Sequence, residues 1–121
     1  MTESSNSRNY DLEGRTFKFN KSVVLCSKKL SRSISNIEYI KQVIRSSGSI
    51  GANYIEANES LSKKDFLMRI KICRKEAKET AYWLRLLEET NDVQFSAELR
   101  DLLDEANQLK KIFSAIIEKS L

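Results

Sequence analysis

The chain has 121 residues, of which 40% are apolar and 31% charged, and its formal net charge is +4. That length suits one domain, and the absence of proline with only three glycines favours long helices over loop-rich or β-rich folds. The absence of histidine removes the commonest general base and metal ligand, so neither an enzyme nor a cofactor-bearing protein is expected.

Residues 1–10 are polar and rich in Ser and Asn, without the apolar stretch of a signal peptide, and read as a flexible start. No segment reaches the roughly 18 apolar residues of a membrane helix, so a cytoplasmic location and no membrane partner are expected. The first helix runs over about 11–31, with Leu12, Thr16, Phe19, Val23, Cys26 and Leu30 on one face. Lys28 and Lys29 suit the negative end of its dipole. Cys26, like Cys73 later, lies inside an apolar pattern, as a buried free thiol would.

The second helix, about 36–60, repeats Ile37, Ile40, Ile44, Ser47, Gly51, Tyr54 and Asn58, with Ser35 or Asn36 as cap. Its middle, Ser46 to Ala52, is nearly all small. Each glycine inside a helix costs about 1 kcal/mol relative to alanine. Close approach of a neighbouring helix would compensate, and a break at Gly48 is the alternative. Gly48-Ser49-Ile50-Gly51 also spells the GXXG loop of KH domains, but no strand accompanies it.

The third helix, about 63–89, carries Phe66, Ile70, Cys73, Ala77, Thr80, Leu84 and Leu87 on one face, with Ser62 capping three residues before Asp65. The fourth, about 93–120, carries Phe95, Leu99, Leu102, Ala106, Leu109, Phe113 and Ile116, with Asn91 and Asp92 as cap residues. Four such helices with short connections predict an all-α, antiparallel up-down-up-down bundle over residues 11–121.

Several apolar residues fall beside these stripes. Phe17, Val24, Ile72, Trp83 and Leu86 form a second surface that suits self-association, although a broad single core would use them too. Charge is uneven along the chain: +4 over residues 1–35, −1 over 36–62, +5 over 63–85 and −4 over 86–121. Lys64, Lys71, Lys78 and Arg85, spaced by seven and flanked by Arg74 and Lys75, make a basic stripe that can track phosphates, with Tyr82 placed to stack on a base. The alternatives are a solvated face, or a pairing surface for the acidic fourth helix.

Arg45, Asn53, Glu56, Glu76 and Glu79 are polar groups within core-facing stretches and read as an interhelical hydrogen-bond network. Glu56, Glu76 and Glu79 are also the only carboxylates that suggest acid–base or metal chemistry, and no histidine completes a di-iron site of the bundle type.

The same residues carry a family resemblance. Asp11-Leu12-Glu13-Gly14-Arg15-Thr16-Phe17, the run from Arg45 to Ala57, Lys63-Lys64-Asp65-Phe66 and the run from Lys75 to Leu86 are similar to motifs of the proteins encoded by intervening sequences in bacterial 23S ribosomal RNA genes. Related members are the accessory variability determinants of diversity-generating retroelements. The likeness covers about residues 10–90. It implies a four-helix bundle assembled as a homopentamer. It also implies a nucleic-acid-binding role, towards RNA or DNA, or a scaffold role docking a reverse transcriptase or other protein.

Overall fold

The computed structural model describes residues 3–121, with side chains from Leu12 onward. Its helices are α1 (Glu3–Ser27), α2 (Ile34–Asn58), α3 (Lys63–Thr90) and α4 (Ser96–Ser120), with a 3-10 turn at Val93–Phe95 leading into the last. Helices consecutive in sequence pack side by side. The α2–α3 and α3–α4 seams are extensive, α1 packs mainly on α2, and the α1–α4 seam that closes the ring is sparse. The expected all-α four-helix bundle is thus the fold. The flexible segment expected over residues 1–10 falls on residues whose side chains lie outside the description, and Met1 and Thr2 lie outside it altogether.

Local chemistry explains where the helices start. Ser62 Oγ accepts from Asp65 N at 3.1 Å and caps α3 as expected. The cap of α2 is Ser33, accepting from Asn36 N at 3.2 Å, rather than Ser35 or Asn36. Asn36 is instead buried, and it exchanges two amide hydrogen bonds of 2.8 and 2.9 Å with Asn91, which ends α3. This pair ties the start of α2 to the α3–α4 turn and takes Asn91 away from the capping role expected for it. Asp92 opens the 3-10 turn without a side-chain cap. Lys28 and Lys29 lie just beyond α1 rather than in its last turn.

The core follows the expected stripes on α1 and, apart from half-buried Phe66, on α3. On α4 the stripe drifts at its end, so that Ile117 is buried and Ile116 only partly so. The α2 stripe is rotated. Val43, Ser46, Ser47, Ile50, Tyr54 and Ala57 face the core, whereas Ile37 and Asn58 are exposed and Ile40 and Ile44 half-buried. The reason is the run of small residues, which α2 turns toward α1. A Cβ at Gly51 would stand 3.0 Å from Thr16 Oγ1, and one at Gly48 would stand 3.5 Å from Asn20 Nδ2. Asn20 spans the seam, donating to Ser47 Oγ at 2.8 Å and to the Ile44 carbonyl at 3.3 Å. The helix is continuous through both glycines, and close approach is the compensation for their cost.

Cys26 and Cys73 are free and buried. Burial raises their thiols to about 11 and about 12, so both stay protonated and unreactive at neutral pH. Cys73 Sγ–H points at the Ile50 carbonyl, 3.4 Å away.

The two α2 glycines differ in a way that stability measurements resolve. Gly48→Ala meets only ordinary van der Waals distances and should stabilise the fold by about 0.5–1 kcal/mol through helix propensity. Gly51→Ala presses on Thr16, which is itself held by its hydrogen bond to the Glu13 carbonyl. It should gain nothing or lose up to about 1 kcal/mol. Urea unfolding of both variants checks the order.

Candidate nucleic-acid interface

With Ile70, Cys73, Ala77, Thr80, Leu84 and Leu87 of α3 turned inward, the helical repeat places Lys71, Arg74, Lys75 and Lys78 together on the outside, at positions i, i+3, i+4 and i+7. Lys110 and Ser114 of α4 lie across from them, and the six residues line an open groove of about 410 Å³. Among the described residues, none of these five cations forms an ion pair. Lys64 continues the stripe one heptad earlier and is exposed. Arg85 continues it one heptad later and pairs with Glu89 at 3.1 Å.

The acidic residues of α4 do not neutralise this groove. Glu105 takes Arg15 of α1 through hydrogen bonds of 2.7 and 2.9 Å, and Glu98 takes Lys29 at 3.0 Å. Acid and base are reversed on the other contact, where Arg100 of α4 holds Glu88 of α3 at 2.7 Å. Lys110 escaped the sequence reading because α4 is acidic as a whole. Its position beside Lys111, in a stretch without acids, was the available signal.

Tyr82 lies on the lysine face and is 58% exposed. Its ring meets Trp83 edge-on, with centroids 5.0 Å apart, and Trp83 in turn lies 5.9 Å from Tyr39 of α2. Trp83 Nε1 donates to Glu79 at 3.0 Å, and Arg45 of α2 donates to the same carboxylate. Arg45 also stands 3.5 Å from Glu76 Oε1, which is buried and lacks an aligned hydrogen-bond donor. Three members of the expected polar network, Arg45, Glu76 and Glu79, are therefore brought together. Asn53 belongs to a separate link, accepting from Arg69 at 2.9 Å and donating to the Ser49 carbonyl. Glu56 is exposed and joins neither. Among the described residues no group of three or more acids or thiols is placed to share a metal ion.

The residues expected at an oligomer interface fall into two places. Phe17 is 73% exposed on α1, beside Gly48, Gly51, Ala52 and Ile55. Val24 is half-buried and borders Ile37, Ile40 and Ile44. Ile72, Trp83 and Leu86 are half-buried on α3, and Trp83 packs against the core. Among the described residues no helix is long and apolar enough to cross a membrane.

Two comparisons bear on this arrangement. The sequence pattern of the family described as 23S rRNA-intervening sequence protein matches residues 8–115, which extends the resemblance through most of α4. The crystal structure of a protein with unknown function from the S23 ribosomal protein family of Bacteroides thetaiotaomicron VPI-5482 is similar in fold. Its TM-score is 0.75 at 29% identity, covering 88% of this chain and 97% of that one. No curated protein matches.

The Trp83 hydrogen bond and the Arg45 pair hold the Glu79 carboxyl below its usual 4.5, against the opposing effect of burial. A carboxyl lowered in this way contributes its full stability above the unfolded value and loses it as pH falls through the folded value. Glu79→Gln should therefore cost about 1 kcal/mol at pH 7, and the difference from the parent should shrink steadily below pH 4.5. Thermal melts from pH 7 to pH 3 measure it.

Proposed function

This chain belongs to the 23S rRNA-intervening sequence protein family, and from that premise we propose that it is a non-enzymatic, oligomeric protein that binds RNA through the α3–α4 groove. The observation that carries the reading is the gathering of Lys71, Arg74, Lys75, Lys78 and Lys110 on one surface, without an ion pair among the described residues. Like charges brought together by folding repel one another, and a polyanion that neutralises them releases its own condensed counterions. Lys64 and Arg85 lengthen the track to about 30 Å at the rise of an α-helix. The groove is lined almost wholly by cations on long, flexible stems, so recognition is led by charge and shape.

A binding rather than catalytic role is supported by how the reactive groups are engaged. Glu79 is held by Trp83 and Arg45, Glu76 lies against the same guanidinium, and both thiols are kept protonated. Self-association is supported by exposed Phe17, Ile37 and Ile55 on the α1–α2 side, and the homopentamer is the form that the family resemblance implies. Repeating a weak cationic groove around a ring would raise affinity through avidity.

A second reading, a scaffold that docks an enzyme such as a reverse transcriptase, draws on the apolar groove where α1 meets α2. Lys28, Arg32 and Lys41 stand around it. A stable protein partner in pull-downs that survive nuclease treatment would favour this second role.

Titration with a structured RNA and with duplex DNA at several salt concentrations tests the first reading. The logarithm of affinity should fall with the logarithm of salt with a slope of about −3 to −4, and Lys71→Glu with Lys78→Glu should reduce that slope by about one to two. No binding at low salt overturns it. The solution mass should be about 70 kDa for a pentamer of the 14.0 kDa chain, and a monomer would refute the oligomer.

A further inference from the structure

We propose that the RNA taken by this groove is unpaired, with a base stacked on the Tyr82 ring while its phosphates run along Lys71, Lys75 and Lys78. The inference rests on the reading of the groove as a nucleic-acid surface and adds the class of ligand.

The first observation is position. At 100° per residue, Tyr82 falls between the directions of Lys75 and Lys78 on α3, one turn further along and about 6 Å from Lys78 in axial rise. Arg85 follows on the same face. An aromatic ring thus stands in line with the cations rather than beside them.

The second observation is exposure combined with support. Tyr82 is more than half exposed, and its edge-on contact with Trp83 leaves Trp83 covering at most one face of the ring. Trp83 is fixed from behind by Tyr39 and by its hydrogen bond to Glu79, which Arg45 holds in turn. A ring braced in this way loses little freedom when a base lies on it, so the stacking energy is not spent on ordering the platform.

The third point is what each nucleic-acid form can offer. In a duplex the bases are stacked inside, and the helix presents phosphates and sugars to a basic surface. Along the body of a duplex Tyr82 has no flat partner. An unpaired strand presents both phosphates and base faces, and stacking of this kind is tolerant of sequence. This fits a groove lined almost wholly by cations.

The experiment measures binding of an unstructured RNA oligonucleotide and of a blunt RNA duplex of equal charge at one low salt concentration, with the full chain and its variants. The unpaired RNA should bind about tenfold or more tightly than the duplex. Tyr82→Ala should weaken it by about ten- to one-hundredfold and leave the slope against salt unchanged, since no phosphate contact is lost. Tyr82→Phe should bind like the parent. Duplex affinity should be indifferent to either change.

Trp83 is the only tryptophan, so its emission should change on addition of unpaired RNA and not of duplex. If Tyr82→Ala lowers helicity, Tyr82→Leu keeps the bulk without the ring, and the same loss is expected of it. Equal binding of both RNAs with silent Tyr82 variants overturns this inference while leaving the groove as a nucleic-acid site. Failure of both RNAs to bind removes the groove reading as well.

Discussion

Helix α3 is buried along one stripe by α2 on one side and α4 on the other, and this double burial sets the direction of every other residue it carries. Ile70, Cys73, Ala77, Thr80, Leu84 and Leu87 leave no freedom of rotation, because turning the helix by one residue would expose them and bury charge. Lysines seven residues apart must then share the outer face, and Glu79 with Trp83 must turn toward Arg45 and Tyr39 of α2. The candidate site is a consequence of core packing rather than an addition to it.

The distribution of acids around the ring has a similar origin. Where α1 and α4 touch only sparsely, Arg15 with Glu105 and Lys29 with Glu98 span the gap. Such part-exposed pairs are worth about 0–1 kcal/mol each, so they orient the seam more than they stabilise it. Their effect on function is indirect. By turning these α4 carboxylates toward α1, they leave the α3 lysines without partners on the neighbouring helix. The acidic last helix and the basic third helix thus coexist without cancelling.

Polar groups buried among apolar ones supply register. The Asn36–Asn91 amide pair locks the start of α2 to the end of α3, and Thr80 with Ser46 ties the same two helices in mid-core through a 2.8 Å bond. A shifted packing would break these cross-helix bonds and leave the buried Asn36 amide oxygen without its donor, at a cost greater than the bond itself contributes. Arg45, Glu76 and Glu79 form a part-exposed link between the same helices, and it also braces the Trp83 ring on which Tyr82 rests.

The number of helices, their extents to within a few residues apart from the start of α1, which begins at Glu3 rather than near residue 11, the faces of α1, α3 and α4, and the basic stripe could all be read from spacing, because a helix repeats its directions every three to four residues whatever it packs against. The family motifs added the fold by likeness. What spacing could not decide was which of two adjoining stripes on α2 faces the core, since Ile37, Ile40, Ile44 and Gly51 join Ser47 and Tyr54 as regularly as Val43, Ser46, Ile50 and Ala57 do. The close approach of Thr16 and Asn20 chooses between them, and those residues are remote in the chain. The same holds for Lys110 joining the lysines of α3, for Asn36 leaving its cap to meet Asn91, and for Glu56 standing apart from Arg45. Periodicity specifies which side of a rod is apolar, but partners across a seam are set only when the rods have packed.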